Sequence, residues 1–208
     1  MFPGTLSDNT QNALAILGKS DVLYDAYLAG GSSLALQLGH RLSLDFDFFN
    51  EKEFNPQKKE ESLKKLGQYE VQVQTDDTMV GVFNTVKFSL FPYNYPLIAP
   101  TKVFSEVRLA SCEDIAAMKL VAITDRGTKK DYIDLFFLAK TFSFEKMFEF
   151  YDKKYHLFAQ NKLTVLKSMQ YFVDADGSDM PEMLIKTSWE DVKQFMQEET
   201  KKLAEKYL

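Results

Sequence analysis

The sequence predicts an α+β fold, a β-sheet core flanked by helices over residues 1–100, with a C-terminal helical part over residues 101–208. Three observations carry that expectation. Between Tyr27 and Phe91 short runs alternate apolar and polar residues, the period of a strand with one buried face. From Ser111 onward apolar residues recur at helical spacing. Between the two regions, Pro92–Pro100 (PYNYPLIAP) has three prolines and no periodicity, which marks a connector and a boundary.

Composition narrows the class. With 208 residues, 45% of them hydrophobic, the chain can bury a real core as one large domain or as a sheet core with an appended helical part. Its one cysteine, Cys112, rules out an internal disulfide framework and fits a reducing compartment. Met1–Ser20 lacks a basic start followed by an apolar run, and no segment approaches membrane-spanning length, so a cytoplasmic protein with no membrane partner is expected. A net charge of −5 argues against a broad nucleic-acid-coating surface, although a local basic groove is compatible with an acidic exterior.

Taken in order, Asp8–Leu17 reads as a short amphipathic helix. Tyr27-Leu28-Ala29 is a short strand ending at Gly30-Gly31, where backbone can turn sharply and approach a ligand. Ser32 and Ser33 stand where a helix would start, able to cap N–H groups or to face a phosphate. Leu34, Ala35, Leu36 and Leu38 continue that helix until Gly39 ends it. The next strand is expected over Leu42–Phe49.

In that strand Asp45 and Asp47 are two residues apart and share a face, roughly 6.5 Å apart along the chain. Leu44, Phe46 and Phe48 take the other face. Two converging acids repel unless a cation lies between them, and hard oxygen ligands suit Mg²⁺, which also takes phosphate oxygens. With a glycine-serine turn one short helix upstream, the pattern points to a metal-bound nucleotide. Either feature alone is weak, since Asp-x-Asp also describes any half-exposed strand.

Further along, Pro56–Leu66 reads as an exposed helix with a solvated charged face. Tyr69–Thr75 is a half-buried strand, Asp76-Asp77 a turn, and Met79–Phe83 and Thr85–Phe91 two more strands. Lys87 shares a strand face with Ser89 and could neutralise phosphate charge; alone, it reads first as an ordinary solvent-facing lysine. Lys102–Ala110 is extended, and Ser111 with Asp114 makes a cap for a helix running to about Thr124.

Lys119 is the lone charge in the apolar middle of that helix, which calls for a partner or a cleft. Arg126 lies two turns on, Gly127 breaks the helix, and a second helix starts near Lys129. In it Asp131 and Asp134 share a face. On spacing alone, a snorkelling lysine and two first-turn acids are the better description of the same residues. Further helices are expected over Ser143–Lys154, Asn161–Val173 and Trp189–Tyr207, with 174–179 as a turn, because a calcium loop would need a Glu where Ile185 stands.

Two blocks carry a resemblance. The run GGSSLALQLGHRLSLDFDFF resembles the first motif of the nucleotidyltransferase superfamily, and more closely the AbiEii/AbiGii abortive-infection toxin family. The run SCEDIAAMKLVAITDRGTKKDYIDLFFL is similar to a second block of that family. The resemblance implies a nucleotidyltransferase-like mixed β-sheet core whose helical part completes the active-site cleft. It implies Mg²⁺ (or Mn²⁺) on Asp45 and Asp47, and nucleotide binding by Gly30, Gly31, Ser32, Ser33, Arg41, Lys87, Arg126 and Asp134. Asp45, Asp47, Lys119 and Asp131 would be catalytic, with Lys119 on phosphate and Asp131 orienting it. The family's third carboxylate falls at Ser89, a departure.

The implied activity is Mg-dependent transfer of NMP from an NTP to an acceptor, with RNA such as tRNA as the family's acceptor. The implied role is the toxin of a toxin–antitoxin or abortive-infection pair with a cognate antitoxin protein. Two alternatives stay open: a small-molecule, antibiotic-type nucleotidyltransferase, and a non-catalytic nucleotide- or partner-binding module that lost turnover with the third acid.

Overall fold

Capping residues set the first elements. Ser7 accepts a hydrogen bond from the Thr10 N–H and opens α1 (Asp8–Gly18), and Asn55 accepts from Lys58 at 2.9 Å to open α3 (Pro56–Leu66). The structure, a computed structural model, describes residues 1–156 and 159–207, in two units, 1–111 and 112–208.

The first unit is built on a seven-stranded mixed sheet. Its strands are β1 (Ala26–Leu28), β2 (Phe46–Asn50), β3 (Tyr69–Gln74), β4 (Met79–Phe83), β5 (Val86–Pro92), β6 (Lys102–Phe104) and β7 (Val107–Leu109), in the order β3-β4-β5-β2-β1-β7-β6. β2 pairs parallel with β5 and β1 parallel with β7, while the remaining pairs are antiparallel. Helix α2 (Gly30–Leu38) links β1 to β2 and ends at Gly39 in the left-handed region, as the glycine predicts.

Strand alternation decides where the core lies. Phe46 and Phe48 of β2 and Phe88 and Leu90 of β5 are fully buried with Leu14 and Leu17 of α1 and Leu63 of α3. Each such side chain contributes roughly 1.5–3 kcal/mol of burial free energy. The alternate positions of β2, Asp47 and Phe49, are only half-buried, so the sheet has a sealed face and a more open one.

Three expectations are corrected in this unit. Strand β2 starts at Phe46, so Asp45 immediately precedes it, and Leu44 is 61% exposed instead of joining the core face. Thr85 belongs to a two-residue hairpin turn with Asn84, both at positive φ (70° and 45°), because the right-handed twist of paired strands favours that turn geometry. Tyr69–Gln74 is mostly exposed, since it is the last strand of the sheet and carries a bulge between Val71 and Val73.

The second unit is helical: α4 (Cys112–Asp125), α5 (Lys129–Leu138), α6 (Phe144–Tyr155), α7 (Ala159–Ser168), α8 (Val173–Asp176) and α9 (Trp189–Tyr207). The helix expected over Asn161–Val173 is two helices, with residues 169–172 outside both. Tyr132, Phe172 and Trp189 pack edge to face with centroids 5.2–5.9 Å apart, and the Tyr132 hydroxyl donates toward the Tyr171 and Ser168 carbonyls. Lys154 of α6 and Asp114 of α4, both fully buried, pair at 2.7 Å. The turn expected over 174–179 is helical up to Asp176, which lies in α8, accepts from Trp189 Nε1 at 2.6 Å and ties that short helix to α9. Among the described residues no helix is long and apolar enough to cross a membrane.

Candidate active site

In the first unit the site grows from the step between β1 and α2. Ala29 ends β1's register with its N–H on the Asp47 carbonyl at 3.0 Å, which ties the start of α2 to β2. Gly30 then takes φ 61°, and a Cβ added there would lie 3.1 Å from Asp47 Oδ2. The glycine therefore serves a close approach of backbone to carboxylate. Gly31 makes room for another charge, since its Cβ would collide with the guanidinium of Arg41. Arg41 is buried and donates from Nη1 to the Leu42 carbonyl at 3.0 Å.

The helix opens at Gly30 with no side-chain cap, so Ser32 and Ser33 lie inside its first turn and do not cap it. Their hydroxyls turn inward. Ser32 Oγ bonds Ser43 Oγ at 2.9 Å and the Asp45 carbonyl, and Ser33 Oγ donates to the Ala110 carbonyl at 3.4 Å. What the turn offers an anion is the N–H groups of its first residues, reinforced by the helix dipole and by Arg41 beside Gly31. The two serines hold that turn against the segment bearing Asp45.

Asp47 lies directly opposite Ser89 in the parallel β2/β5 ladder, and Lys87, exposed, is two residues before Ser89 on the same face. The pairing brings Asp47, Ser89 and Lys87 to one face of the sheet. Among the described residues no group of three or more His, Cys, Asp or Glu stands together as a metal-ligand set.

In the second unit Lys119, Arg126, Asp131 and Asp134 form one network. Lys119 Nζ is 2.9 Å from Asp131 Oδ1 and 2.6 Å from Asp134 Oδ2, with both acids fully buried. Arg126 donates from Nε to Asp131 Oδ2 at 3.1 Å and from Nη2 to Oδ1 at 3.0 Å, a two-pronged clamp. The N–H and hydroxyl of Thr128 also donate to Asp131, which closes the capping box of α5. Burial would push the Asp131 carboxyl up, but Lys119 beside it and the Arg126 hydrogen bonds hold it well below the usual carboxylate range. Arg126 is the part of the network that meets solvent, with 62% of its side chain exposed against 5% for Lys119.

A family model described as nucleotidyl transferase AbiEii toxin, type IV toxin–antitoxin system, matches residues 86–207, more than half of the chain. The chain belongs to the AbiEii nucleotidyltransferase toxin family. The matched stretch begins at β5 and contains Lys87, Ser89, Lys119, Arg126, Asp131 and Asp134. A curated relative, protein aq_aa25 of Aquifex aeolicus (strain VF5), is 34% identical over 206 residues, covering 96% of this chain and 98% of its own length. Among solved structures, JHP933 of Helicobacter pylori is similar at a TM-score of 0.56 and 20% identity, over 97% of this chain and 96% of that one. The antibiotic-resistance factor ANT(2'')-Ia is similar at 0.53 and 17% identity, over 77% and 97% respectively. At those identities the two structures speak for the fold, and the mixed sheet flanked by helices is the expected one.

This AbiEii-family chain is thus a nucleotidyltransferase enzyme. Sequence reasoning missed the residues that hold its expected site residues in place. Ser43 and the Asp45 carbonyl fix Ser32, and strand parity puts Phe49 and Phe91 on the face of Asp47 and Ser89. Parity was available in the sequence; the parallel pairing that aligns the two strands was not.

Proposed function

We propose that Asp45 and Asp47 hold a divalent cation, Mg²⁺ or Mn²⁺, and that the opening turn of α2 binds the triphosphate of an NTP whose NMP passes to an acceptor hydroxyl. Nucleotidyltransferases generally use divalent metals. The observation that carries the reading is the contact of Gly30 with Asp47, which sets a carboxylate against the N–H groups of a helix start. The donor set fits: two carboxylates leave positions for water and phosphate oxygens, the usual Mg²⁺ arrangement. When bound, the cation neutralises phosphate charge and polarises the group transferred.

The chain's own residues do the rest. The N–H groups of Gly30, Gly31 and Ser32 orient the phosphates, Ser33 fixes the turn, and Arg41 adds fixed positive charge behind Gly31. Lys87 supplies charge on the open sheet face. In the second unit a phosphate would meet Arg126 first, with Asp131 orienting it, and Lys119 and Asp134 completing the network. Ser89 cannot act as a carboxylate base, so the acceptor proton leaves to water or to Asp47.

The family description supports a toxin role with an antitoxin partner, and RNA such as tRNA is the acceptor we propose. The test is to incubate the protein with Mg²⁺, each α-labelled NTP in turn and total RNA, beside Asp45→Asn. Label on RNA with one NTP, lost in the variant, is expected. Equal labelling by Asp45→Asn would sink the metal assignment, and label on small molecules alone would sink the RNA acceptor.

A further inference from the structure

We propose that Phe49, Phe91, Tyr93 and Tyr95 form a platform on which a nucleobase stacks beside the Asp47 site; this rests on the nucleotidyl-transfer reading above. The β2/β5 register pairs Phe49 with Phe91, two residues beyond the Asp47–Ser89 pair on the same sheet face, about 7 Å further along the strands. Phe49 is 5.9 Å from Phe91 and 4.9 Å from Tyr93, and Tyr93 is 5.1 Å from Tyr95, centroid to centroid. The Tyr93 N–H donates to the Asn50 carbonyl at 2.9 Å, which extends the ladder and holds the ring against β2.

The two faces of these strands differ in a way that points to a ligand. Phe46, Phe48 and Phe88 are fully buried on the sealed face. On the Asp47 face Phe49, Phe91 and Tyr93 keep part of their surface in solvent, and Tyr95 is 46% exposed. A row of aromatic rings left partly wet beside the Asp47 position suits a ligand that carries a flat π-face and a phosphate together. Lys87, exposed on the same face, complements the phosphate charge. A nucleotide has that chemistry, whether it is the donor NTP or a base of the acceptor strand, and a stack on aromatics tolerates any base.

The test separates the two sources and keeps the transfer reading apart. Calorimetry compares wild type, Tyr95→Ala, Tyr95→Phe and Tyr93→Ala against a non-hydrolysable NTP, inorganic tripolyphosphate and a ten-nucleotide single-stranded RNA, all with Mg²⁺. Loss of one stacking partner is expected to weaken base-carrying ligands about 5–100-fold. If the platform takes the donor's base, wild type prefers NTP to tripolyphosphate and Tyr95→Ala erases that preference, with Tyr95→Phe retaining it. If it takes the acceptor's base, Tyr95→Ala weakens the RNA alone. Unchanged affinity for both ligands in both alanine variants, or no binding of either to wild type, overturns the platform. Label transfer by wild type in the same preparation then shows whether nucleotidyl transfer stands without it.

Discussion

Asp47 of β2 and Ser89 of β5 are direct partners in the parallel ladder, with their side chains on one face of the sheet. A hydroxyl therefore stands where a further carboxylate would complete the metal site proposed above, and Ser89 is buried. Nothing about the backbone there forbids an acid.

Ser89→Asp tests that position. Without metal, a buried carboxylate next to the half-buried Asp47 repels it, so the melting temperature in EDTA should fall. With Mn²⁺ the added charge and ligand should tighten binding by about tenfold. Calorimetric Mn²⁺ titration reads this, and unchanged affinity would mean that Ser89 does not face the cation.

Gly30→Ala tests the close approach to Asp47. Alanine at φ 61° costs about 1–2 kcal/mol, and its Cβ would crowd Asp47 Oδ2 at 3.1 Å. Label transfer should fall by more than about tenfold, because a small displacement at a reacting centre is expensive. Gly39→Ala is the control: it also sits at positive φ, 69°, but its Cβ would meet the Phe2 ring. It should lower stability and leave the per-molecule rate alone. Equal loss of rate in both variants would show a general folding effect.

Asp131 predicts an acid-side change in stability. Its carboxyl is held below the ordinary value in the folded chain, so its contribution is present above the unfolded value near 4 and is lost as pH falls below that. Asp131→Asn removes one partner of a buried pair and should cost on the order of 3–5 kcal/mol at pH 7. Urea melts from pH 7 to pH 3 should show the gap between the two proteins narrowing below about pH 4. A gap that stays constant across that range would assign the cost to packing instead of charge.

Local signals were legible because their causes are local. The turn at Gly30-Gly31, the glycine stop at Gly39, α3 over Pro56–Leu66, the Asp131 position in α5 and α9 over Trp189–Tyr207 depend on residues within a turn or two. Lys119 could be singled out as a charge needing a partner, and Asp131 and Asp134 as acids on one helix face. Asp114 and Lys154 could not be matched, because 40 positions separate them and no periodicity links two helices.

By itself the sequence determined the class of fold, the order of most elements and the residue types available for phosphate and metal chemistry, since period, capping and composition are written along the chain. Tertiary structure decided which of those residues meet. The parallel pairing of β2 with β5 set Ser89 against Asp47 and carried Phe49 and Phe91 to the same face. Contacts with Ser43, the Asp45 carbonyl and the Ala110 carbonyl turned the Ser32 and Ser33 hydroxyls inward. The physical reason is that strand register and side-chain burial are settled by contacts between segments distant in the chain, whose joint free energy no single stretch encodes.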